Sequence, residues 1–157
     1  ESDELDFGII IVPDSAPNLN VLRMSRNQLM ICVSQDSPLA AKSKITPKDI
    51  TTADLIMMKE GSYLREVVQG RLSALKISPR TVLESGQIVT IKGLVAHKVG
   101  IAFLLDFICE NSSHIKSIPF CEPIFVDIGL AWKKDRYVSN AAQAFIDFCK
   151  ELGGKVK

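Results

Sequence analysis

The stretch LMICVSQDSPLAAK, residues Leu29–Lys42, decides how the fold is interpreted, because five apolar residues lead into a polar segment that turns at a Ser-Pro pair. Cys32, Ser34 and Asp36 alternate within it, and alternate residues of a strand share one face. Nucleophile and acid side chains on one face are one way to build a catalytic site. The other interpretation is a strand that leaves one structural unit and turns into another.

The catalytic interpretation requires a general base, and the sequence offers two histidines, His97 and His114. His97 falls in the predicted last turn of a helix, where an imidazolium complements the helix dipole, and His114 falls in the polar loop ENSSHIKS. Neither has the acidic or cysteine neighbour that a catalytic set needs. The motifs GxGxxG, GxxxxGK(S/T), GxSxG and HExxH are absent. We therefore predict that the chain is not an enzyme and uses no cofactor.

Length and composition fit one domain, or two small lobes that share a core, without a nucleic-acid surface. The 157 residues carry 19 basic and 18 acidic side chains, and this balance lacks the positive charge that DNA phosphates require. The four cysteines, Cys32, Cys109, Cys121 and Cys149, form neither a CxxC pair nor a Cys/His cluster. We interpret them as reduced, buried thiols rather than metal ligands or disulfides, which favours the cytoplasm.

The ends of the chain suggest a fragment. No apolar run approaches the roughly 20 residues of a membrane span, so we expect no membrane partner. The start, ESDELDFGIII, has neither an initiator Met nor a basic leader segment. We expect that the chain was cut from a larger protein.

Apolar periodicity predicts alternating strands and helices, and hence an α/β fold. The strands are predicted over residues 5–12, within 21–33, and over 54–58, 80–85, 101–105 and 125–132. The helices are predicted over residues 46–50, after Ser62, after Ser85, and from Ser139 or Asn140 to Gly153.

Helical spacing also predicts which side chains face the core and where helices stop. The predicted inward residues are Leu64, Val67, Val68, Leu72, Leu75, Ile88, Ile91, Val95, Ala142, Phe145, Ile146, Cys149 and Leu152. Gly100 is predicted to end the third helix with a positive φ. We therefore expect Gly100→Val to be among the most damaging single changes.

Two helix starts follow strands directly, in KEGSYLR and LESGQIV. A helix N-terminus carries free N–H groups and about half a positive charge, so each start is a possible anion cradle. The alternative is that Ser62 and Ser85 are ordinary helix caps.

The order of these segments carries a resemblance. LDFGIIIVP, LMICVSQDSPLA, TPKDITTADLIMM, EGSYLREVVQGRLSALKISP, LESGQIVTIKGLVAHKVGIAFLL and VDIGLAWKKD together resemble the effector-binding domain of LysR-type transcriptional regulators. The resemblance implies the two-lobed α/β fold of type 2 periplasmic binding proteins, with two crossover strands. Residues 1–35 would begin an incomplete lobe I, 36–124 would form lobe II, and 125–157 would complete lobe I with the C-terminal helix.

The resemblance also implies an effector site between lobes. Its residues would be Val12, Pro13, Asp14, Gly61, Ser62, Tyr63, Arg65, Ser85, Gly100, Ile101, Ala102 and Phe103. Backbone amides and serine hydroxyls would hold a carboxylate or similar anion with Arg65 nearby, and Tyr63 and Phe103 would supply apolar wall. Where GIAxLP is common in the family, this chain has GIAFLL.

The function implied is that of a sensor. A small, anionic effector would bias lobe closure and so control DNA binding by a separate winged helix-turn-helix domain in a homodimer or homotetramer. DNA would be contacted only through that domain. The alternative is a solute-binding protein of the same fold that delivers a small anion to a transporter.

Overall fold

The computed structural model describes residues 6–109 and 112–153, and its alternating elements confirm the predicted α/β class. The described residues form strands β1 (Gly8–Ile11), β2 (Leu19–Ser34), β3 (Asp54–Met58), β4 (Arg80–Ser85), β5 (Ile101–Leu105) and β6 (Ile115–Lys133). The helices are α1 (Pro47–Thr51), α2 (Tyr63–Ala74), α3 (Ile88–Ala96) and α4 (Asn140–Gly153). Single turns of 3-10 helix cover Pro38–Ala41 and Asp106–Ile108.

Hydrogen bonding places the six strands of the described residues in the order β1-β6-β2-β5-β3-β4. β1 is antiparallel to β6, and β2 is antiparallel to β5. β3 is parallel to both of its neighbours, with Leu55 opposite Ile101 in β5 and Met58 opposite Ser85 in β4. The carboxyl ends of β3 and β4 therefore meet at one edge of the sheet.

The described residues divide into two compact units. The first unit contains residues 6–27 and 126–153, and the second contains the described residues of 28–125. β2 runs from the first unit into the second, and β6 runs back. The lobe boundaries predicted at 35/36 and 124/125 stay a prediction. A lobe is a part of the chain that moves as a body when an effector binds, whereas these two units are defined by their internal contacts.

The polar end of the opening stretch forms a turn. The Ser37 N–H donates to the Ser34 carbonyl at 2.9 Å, and Ser37 Oγ accepts from the Leu39 N–H at 3.3 Å. Ser34 Oγ donates to the Ala96 carbonyl at 3.3 Å. The Ser37 hydroxyl thus belongs to the turn, whereas the Ser34 hydroxyl binds the distant end of α3.

The second unit is built around an apolar cluster between α3 and the strands. Its buried members are Cys32, Ile56, Ile91, Val95, Ala102, Leu104, Cys109 and Ile115. Ile88, predicted to face this core, is 37% exposed, because α3 begins there and its first turn is not covered. In α2, Leu64, Val68 and Leu72 are buried as predicted, whereas Val67 and Leu75 are only half-buried.

The first unit packs α4 against β2 and β6. Leu130, Ile146 and Cys149 form its buried cluster, with Trp132 packed against it. Phe145, predicted to face inward, is 39% exposed and stacks on Phe7 with ring centroids 4.7 Å apart. The prediction for Leu152 concerns a side chain outside the described residues.

The ends of α2 and α3 correct the prediction for Gly100. The residues with positive φ after these helices are Lys76 (55°) and Lys98 (63°), whereas Gly100 does not have positive φ. After α3, the Lys98 N–H donates to Val95 and the Val99 N–H donates to Leu94, both at 3.0 Å. This pair of bonds is a Schellman motif, and it compensates the cost of left-handed backbone at a lysine.

Strand lengths were predicted unevenly. β3, β4 and β5 begin and end at the predicted residues, but β1 is shorter than residues 5–12, and Leu5 lies outside the described residues. β2 begins earlier than expected and β6 begins at Ile115 rather than near 125. Pro119 and Pro123 concealed the longer β6, because proline within an apolar run argues against a strand.

The start of α1 is held by one carboxylate. Asp49 accepts hydrogen bonds from the Thr46 N–H at 2.9 Å, the Thr46 hydroxyl at 2.8 Å and the Lys42 ammonium at 2.6 Å. The Lys42 bond is the main reason that the pKa of Asp49 falls from 3.8 to about 2. A carboxylate whose pKa is lowered by folding stabilises the protein above its unfolded pKa and loses that effect as the pH falls.

We expect Asp49→Ala to lower the free energy of unfolding by about 1 kcal/mol at neutral pH. The difference from the parent protein should be constant above pH 4 and should shrink between pH 4 and pH 2, as Asp49 takes up a proton. Urea midpoints measured across this range check it. A difference that does not depend on pH would contradict this role for the charge.

Candidate functional site

The candidate site lies at the carboxyl ends of β3 and β4 in the second unit. Met58 is opposite Ser85, and the Lys59 N–H donates to the Ser85 carbonyl at 3.0 Å. β3 leads into α2 and β4 leads into α3. Because the two strands are parallel and adjacent, both helices begin at this edge of the sheet.

Both helix starts lack a side-chain cap. Ser62 is the N-cap residue of α2, as predicted, but its hydroxyl makes no capping hydrogen bond. The N-cap of α3 is Gln87 rather than Ser85, and its side chain also makes no capping bond. The first-turn N–H groups of two neighbouring helices are thus without side-chain caps, and each start carries about half a positive charge.

Gly61 and Tyr63 flank the α2 start. Gly61 has φ of 83°, a conformation that glycine adopts without steric cost, and it turns the chain from β3 into the helix. Tyr63 is half-buried. The structure therefore brings Gly61, Ser62 and Tyr63 together, as their adjacent positions require, and places Ser85 across the strand pair from them.

The Ser85 hydroxyl already makes a hydrogen bond within its own loop. Its Oγ accepts a hydrogen bond from the Gln87 N–H at 3.1 Å. This bond forms a short turn between β4 and α3, which is a common use of serine. The predicted opening of the helix at residues 85–86 is wrong by two residues, because this turn comes before the first helical residue, Ile88.

Arg65 is bound to protein groups. Its guanidinium donates to the Met58 carbonyl at 2.9 Å and forms an ion pair with Glu84 at 2.8 Å. Hydrogen bonding to Glu84 raises the pKa of Arg65, and the same bond lowers the pKa of Glu84. The side chain is 14% exposed. Arg65 therefore ties the end of β3 to the end of β4, and its charge is partly neutralised.

Sequence reasoning missed Lys59, the first residue after β3. Its side chain is exposed and passes Gly86, where an added Cβ would lie 3.8 Å from Lys59 Cβ. Lys59 thus adds an exposed cation that precedes the α2 start in sequence and passes Gly86, before the α3 start. A lysine one residue before a Gly-Ser helix start gave no distinctive sequence signal.

The predicted residues Gly100, Ile101, Ala102 and Phe103 lie toward the other edge of the sheet. Ile101 is opposite Leu55, near the start of β3, whereas Ser62 follows its end. Ile101, Ala102 and Phe103 are all at most 6% exposed. The structure does not bring Gly100 together with Ser62, and effector contacts by these four residues stay a prediction.

A cavity of about 460 Å³ opens at that other edge, in the second unit. Gly100 and Ile101 line it together with charged residues that are already paired. Lys98 pairs with Asp36 at 3.1 Å, and Asp54 pairs with Arg80 at 2.7 Å. Each of these four charged side chains is therefore compensated by its partner. None of them carries an unpaired charge that would select a charged ligand.

Val12, Pro13 and Asp14 belong to the first unit, where they follow β1. The Val12 N–H donates to the Asp127 carbonyl at 2.7 Å. Asp14 is exposed, and Pro13 lines a cavity of about 700 Å³ with Lys133 and neighbouring residues of the same unit. Their predicted contact with an effector stays a prediction.

The described residues hold no group of three or more His, Cys, Asp or Glu side chains placed to bind a metal. In the same part of the chain, no helix has the length and apolar character needed to cross a membrane.

Comparison with known proteins identifies the family. The LysR substrate binding domain family matches residues 1–154. The HTH-type transcriptional regulator YybE of Bacillus subtilis is 29% identical over 149 residues, which are 92% of this chain and 50% of that protein. The malolactic fermentation system transcriptional activator of Lactococcus lactis is 25% identical over 139 residues, covering 87% of this chain and 48% of its own length. The chain spans about half the length of these curated relatives.

Solved structures agree. The regulatory domain of Synechocystis PCC6803 CcmR, in complex with 2-PG, has a TM-score of 0.89 at 26% identity, over 96% of this chain and 74% of that one. The effector binding domain of QuiR, in complex with shikimate, has a TM-score of 0.89 at 25% identity, over 98% and 74%. The predicted fold is thereby confirmed. The chain belongs to the family of LysR substrate binding domains.

Proposed function

We propose that this chain is the effector-sensing part of a transcriptional regulator, and that it binds a small anionic metabolite at the starts of α2 and α3. The observation that carries the proposal is the pair of helix N-termini without side-chain caps at one edge of the sheet. Each such end stabilises a nearby negative charge by typically about 0.3–1 kcal/mol. N–H groups without side-chain caps there can supply directed, charge-assisted hydrogen bonds.

Three further facts support an anion at this edge. Lys59 is an exposed cation beside both helix starts. Arg65 already neutralises Glu84, so this carboxylate repels an approaching anion less. QuiR, which has the same fold, is found with shikimate, the anion of a carboxylic acid.

The family favours a regulator over the alternative of a solute-binding protein. The relatives named above are an HTH-type regulator and a transcriptional activator, each about twice as long as this chain. We infer that DNA is contacted by a separate winged helix-turn-helix domain, since the chain has a net charge of only +1. Effector binding would shift an equilibrium between arrangements of a homodimer or homotetramer. The four free cysteines fit a reducing cytoplasm.

We expect carboxylic acids, and not their neutral amides, to raise the melting temperature of the protein. The test is a thermal-shift panel in which each acid is paired with its own amide, followed by calorimetric titration of the best acid. At a ligand concentration of 100 times Kd, the stabilisation should be about 2.7 kcal/mol. If only neutral or cationic compounds raise the melting temperature, the anion proposal is wrong.

Ser62→Asp is the sharpest variant. A carboxylate at this N-cap should satisfy the α2 start itself, so the free protein should gain about 0.5–1 kcal/mol. The same carboxylate should repel the ligand and weaken anion binding at least tenfold. Ser139→Asp is the matched control, because it adds the same charge at the N-cap of α4, where Ser139 Oγ already accepts from the Ala142 N–H at 3.2 Å. Equal loss of binding in both variants would point to net charge rather than to the α2 start.

A further inference from the structure

Two cysteines from distant parts of the sequence meet in the core of the second unit. Cys32 lies on β2 and Cys109 follows the 3-10 turn after β5, 77 residues away. Their sulfur atoms are 2.7 Å apart, and both thiols are free. Their exposures are 0% and 5%, so both belong to the apolar cluster of that unit.

The separation of the sulfurs identifies the chemistry that the pair can support. A disulfide requires about 2.05 Å between sulfur atoms, so closing the bond requires a movement of well under 1 Å. A metal ion held by both thiolates would need sulfurs about 4 Å apart, since each metal–sulfur bond is about 2.3 Å. The described residues also supply no third ligand. The geometry is therefore suited to a disulfide and not to a metal.

The two thiols are not equivalent. Hydrogen bonding from Cys32 lowers the pKa of Cys109 to about 7, and the same interaction, with burial, raises the pKa of Cys32. As for Cys32, Ser117 and Lys92 also lower the pKa of Cys109. The Lys92 ammonium is held beside it by a 2.8 Å hydrogen bond to the Ile108 carbonyl. The thiolate is the reactive form of cysteine, so Cys109 is the nucleophile of the pair.

We propose that Cys32 and Cys109 form a reversible oxidation site, which a small hydroperoxide closes to a disulfide. The Cys109 thiolate attacks one peroxide oxygen, the O–O bond breaks, and the leaving alkoxide or hydroxide takes up a proton. Cys32 then attacks the sulfur of the resulting sulfenic acid, the S–S bond forms, and hydroxide leaves with the Cys32 proton as water. Two thiols and one hydroperoxide thus give one disulfide, one alcohol or water, and one further water.

Closing this bond joins β2 to the segment after β5. The link spans most of the second unit along the sequence, and cross-links over long loops stabilise most. We expect the oxidised protein to melt on the order of 5–10 °C higher than the reduced protein. A thiol reductant should reverse the change. This site shares no residue with the proposed anion site and adds a second input to the protein.

The test uses the full chain, reduced and then treated with hydrogen peroxide. We expect free thiols to fall from four to two and the mass to fall by two hydrogen atoms. Peptide mapping after alkylation under denaturing conditions should find one cross-linked pair, Cys32 with Cys109. The rate of disulfide formation should rise with pH through about 7, as Cys109 ionises.

Serine variants supply the controls. Cys109→Ser should abolish the mass change, and Cys32→Ser should stop the reaction at a sulfenic acid on Cys109, which a dimedone probe detects. Cys121→Ser and Cys149→Ser should oxidise like the parent protein. Because the mapping of the parent needs no variant, a poorly folded variant leaves the test intact. Four free thiols after peroxide treatment, or a cross-link between any other pair, would overturn the proposal.

Discussion

Phe120→Ala should lower the free energy of unfolding by about 3–5 kcal/mol, since a large aromatic side chain leaves a cavity that the surrounding core fills only partly. Phe120 lies on β6 with 1% exposure, and its ring meets the edge of Phe103 with centroids 6.3 Å apart. The backbone on either side of it holds Ile45. The Ile45 N–H donates to the Pro119 carbonyl at 3.0 Å, and the Cys121 N–H donates to the Ile45 carbonyl at 2.8 Å.

Urea unfolding measures this loss, and Phe107→Ala is the matched control. Phe107 is 48% exposed, so truncating it should cost less than about 1 kcal/mol. Similar urea midpoints for the two variants would show that Phe120 is not a core residue. The result also bears on Phe103, which was predicted to line an effector site, because a large loss means that Phe120 and Phe103 share a closed core.

Gly100→Ala is the second large effect that we expect. A Cβ at residue 100 would lie 2.5 Å from the Asp54 carbonyl oxygen and 3.2 Å from Ile56 Cγ1. The oxygen belongs to backbone at the start of β3, and β3 cannot retreat without loosening its pairing with β5. We expect a loss of about 3 kcal/mol, the upper end for overpacked sites, and more for Gly100→Val. We therefore still expect substitution of Gly100 to be destabilising. The cause is the close approach of the Asp54 backbone rather than a positive φ at Gly100.

Gly93→Ala provides the control with opposite sign. Gly93 lies in the middle of α3, and a Cβ there would meet nothing within 4 Å. Alanine in a helix interior is more favourable than glycine by about 0.5–1 kcal/mol. Gly93→Ala should therefore raise the urea midpoint while Gly100→Ala lowers it. Equal effects from both variants would mean that the space around Gly100 is not closed.

Local sequence signals predicted much of the fold. β3 and β5 are short apolar runs bounded by turn residues, and their limits follow from that pattern. The start of α1 follows from Thr46, Pro47 and Asp49, which are a cap, a first-turn residue and a carboxylate at the positive helix end. Such signals involve neighbours within four residues, so they can be recognised in the sequence without knowledge of tertiary contacts.

The incorrect predictions concern residues whose conformation depends on contacts with residues distant in the sequence. Gly100 follows a histidine and a lysine at a helix end, which is typical of a helix stop, but the close approach of Asp54 is what requires a glycine there. Lys98 takes the left-handed position because its own N–H binds the Val95 carbonyl and the next N–H, of Val99, binds the Leu94 carbonyl.

The candidate site shows the same limit. The helix starts at KEGSYLR and LESGQIV were predicted from local pattern, and α2 begins where expected. The ion pair of Arg65 with Glu84 depends on β4 lying beside β3 in one particular register. The contact between Cys32 and Cys109 joins residues 77 positions apart. No spacing rule along the sequence reaches that far.

The division of the chain has a consequence for its biosynthesis. The second unit is one continuous segment, 28–125, whereas the first unit needs residues from both sides of it, with Gly8 paired to Ala131. On the ribosome the second unit can be completed before residues 126–153, the end of β6 and α4, emerge. Until then, holding the two parts of the first unit together across about a hundred unstructured residues would cost about 4 kcal/mol of chain entropy. A second unit that has already folded removes most of that cost, so the order of synthesis favours assembly from the middle of the chain outward.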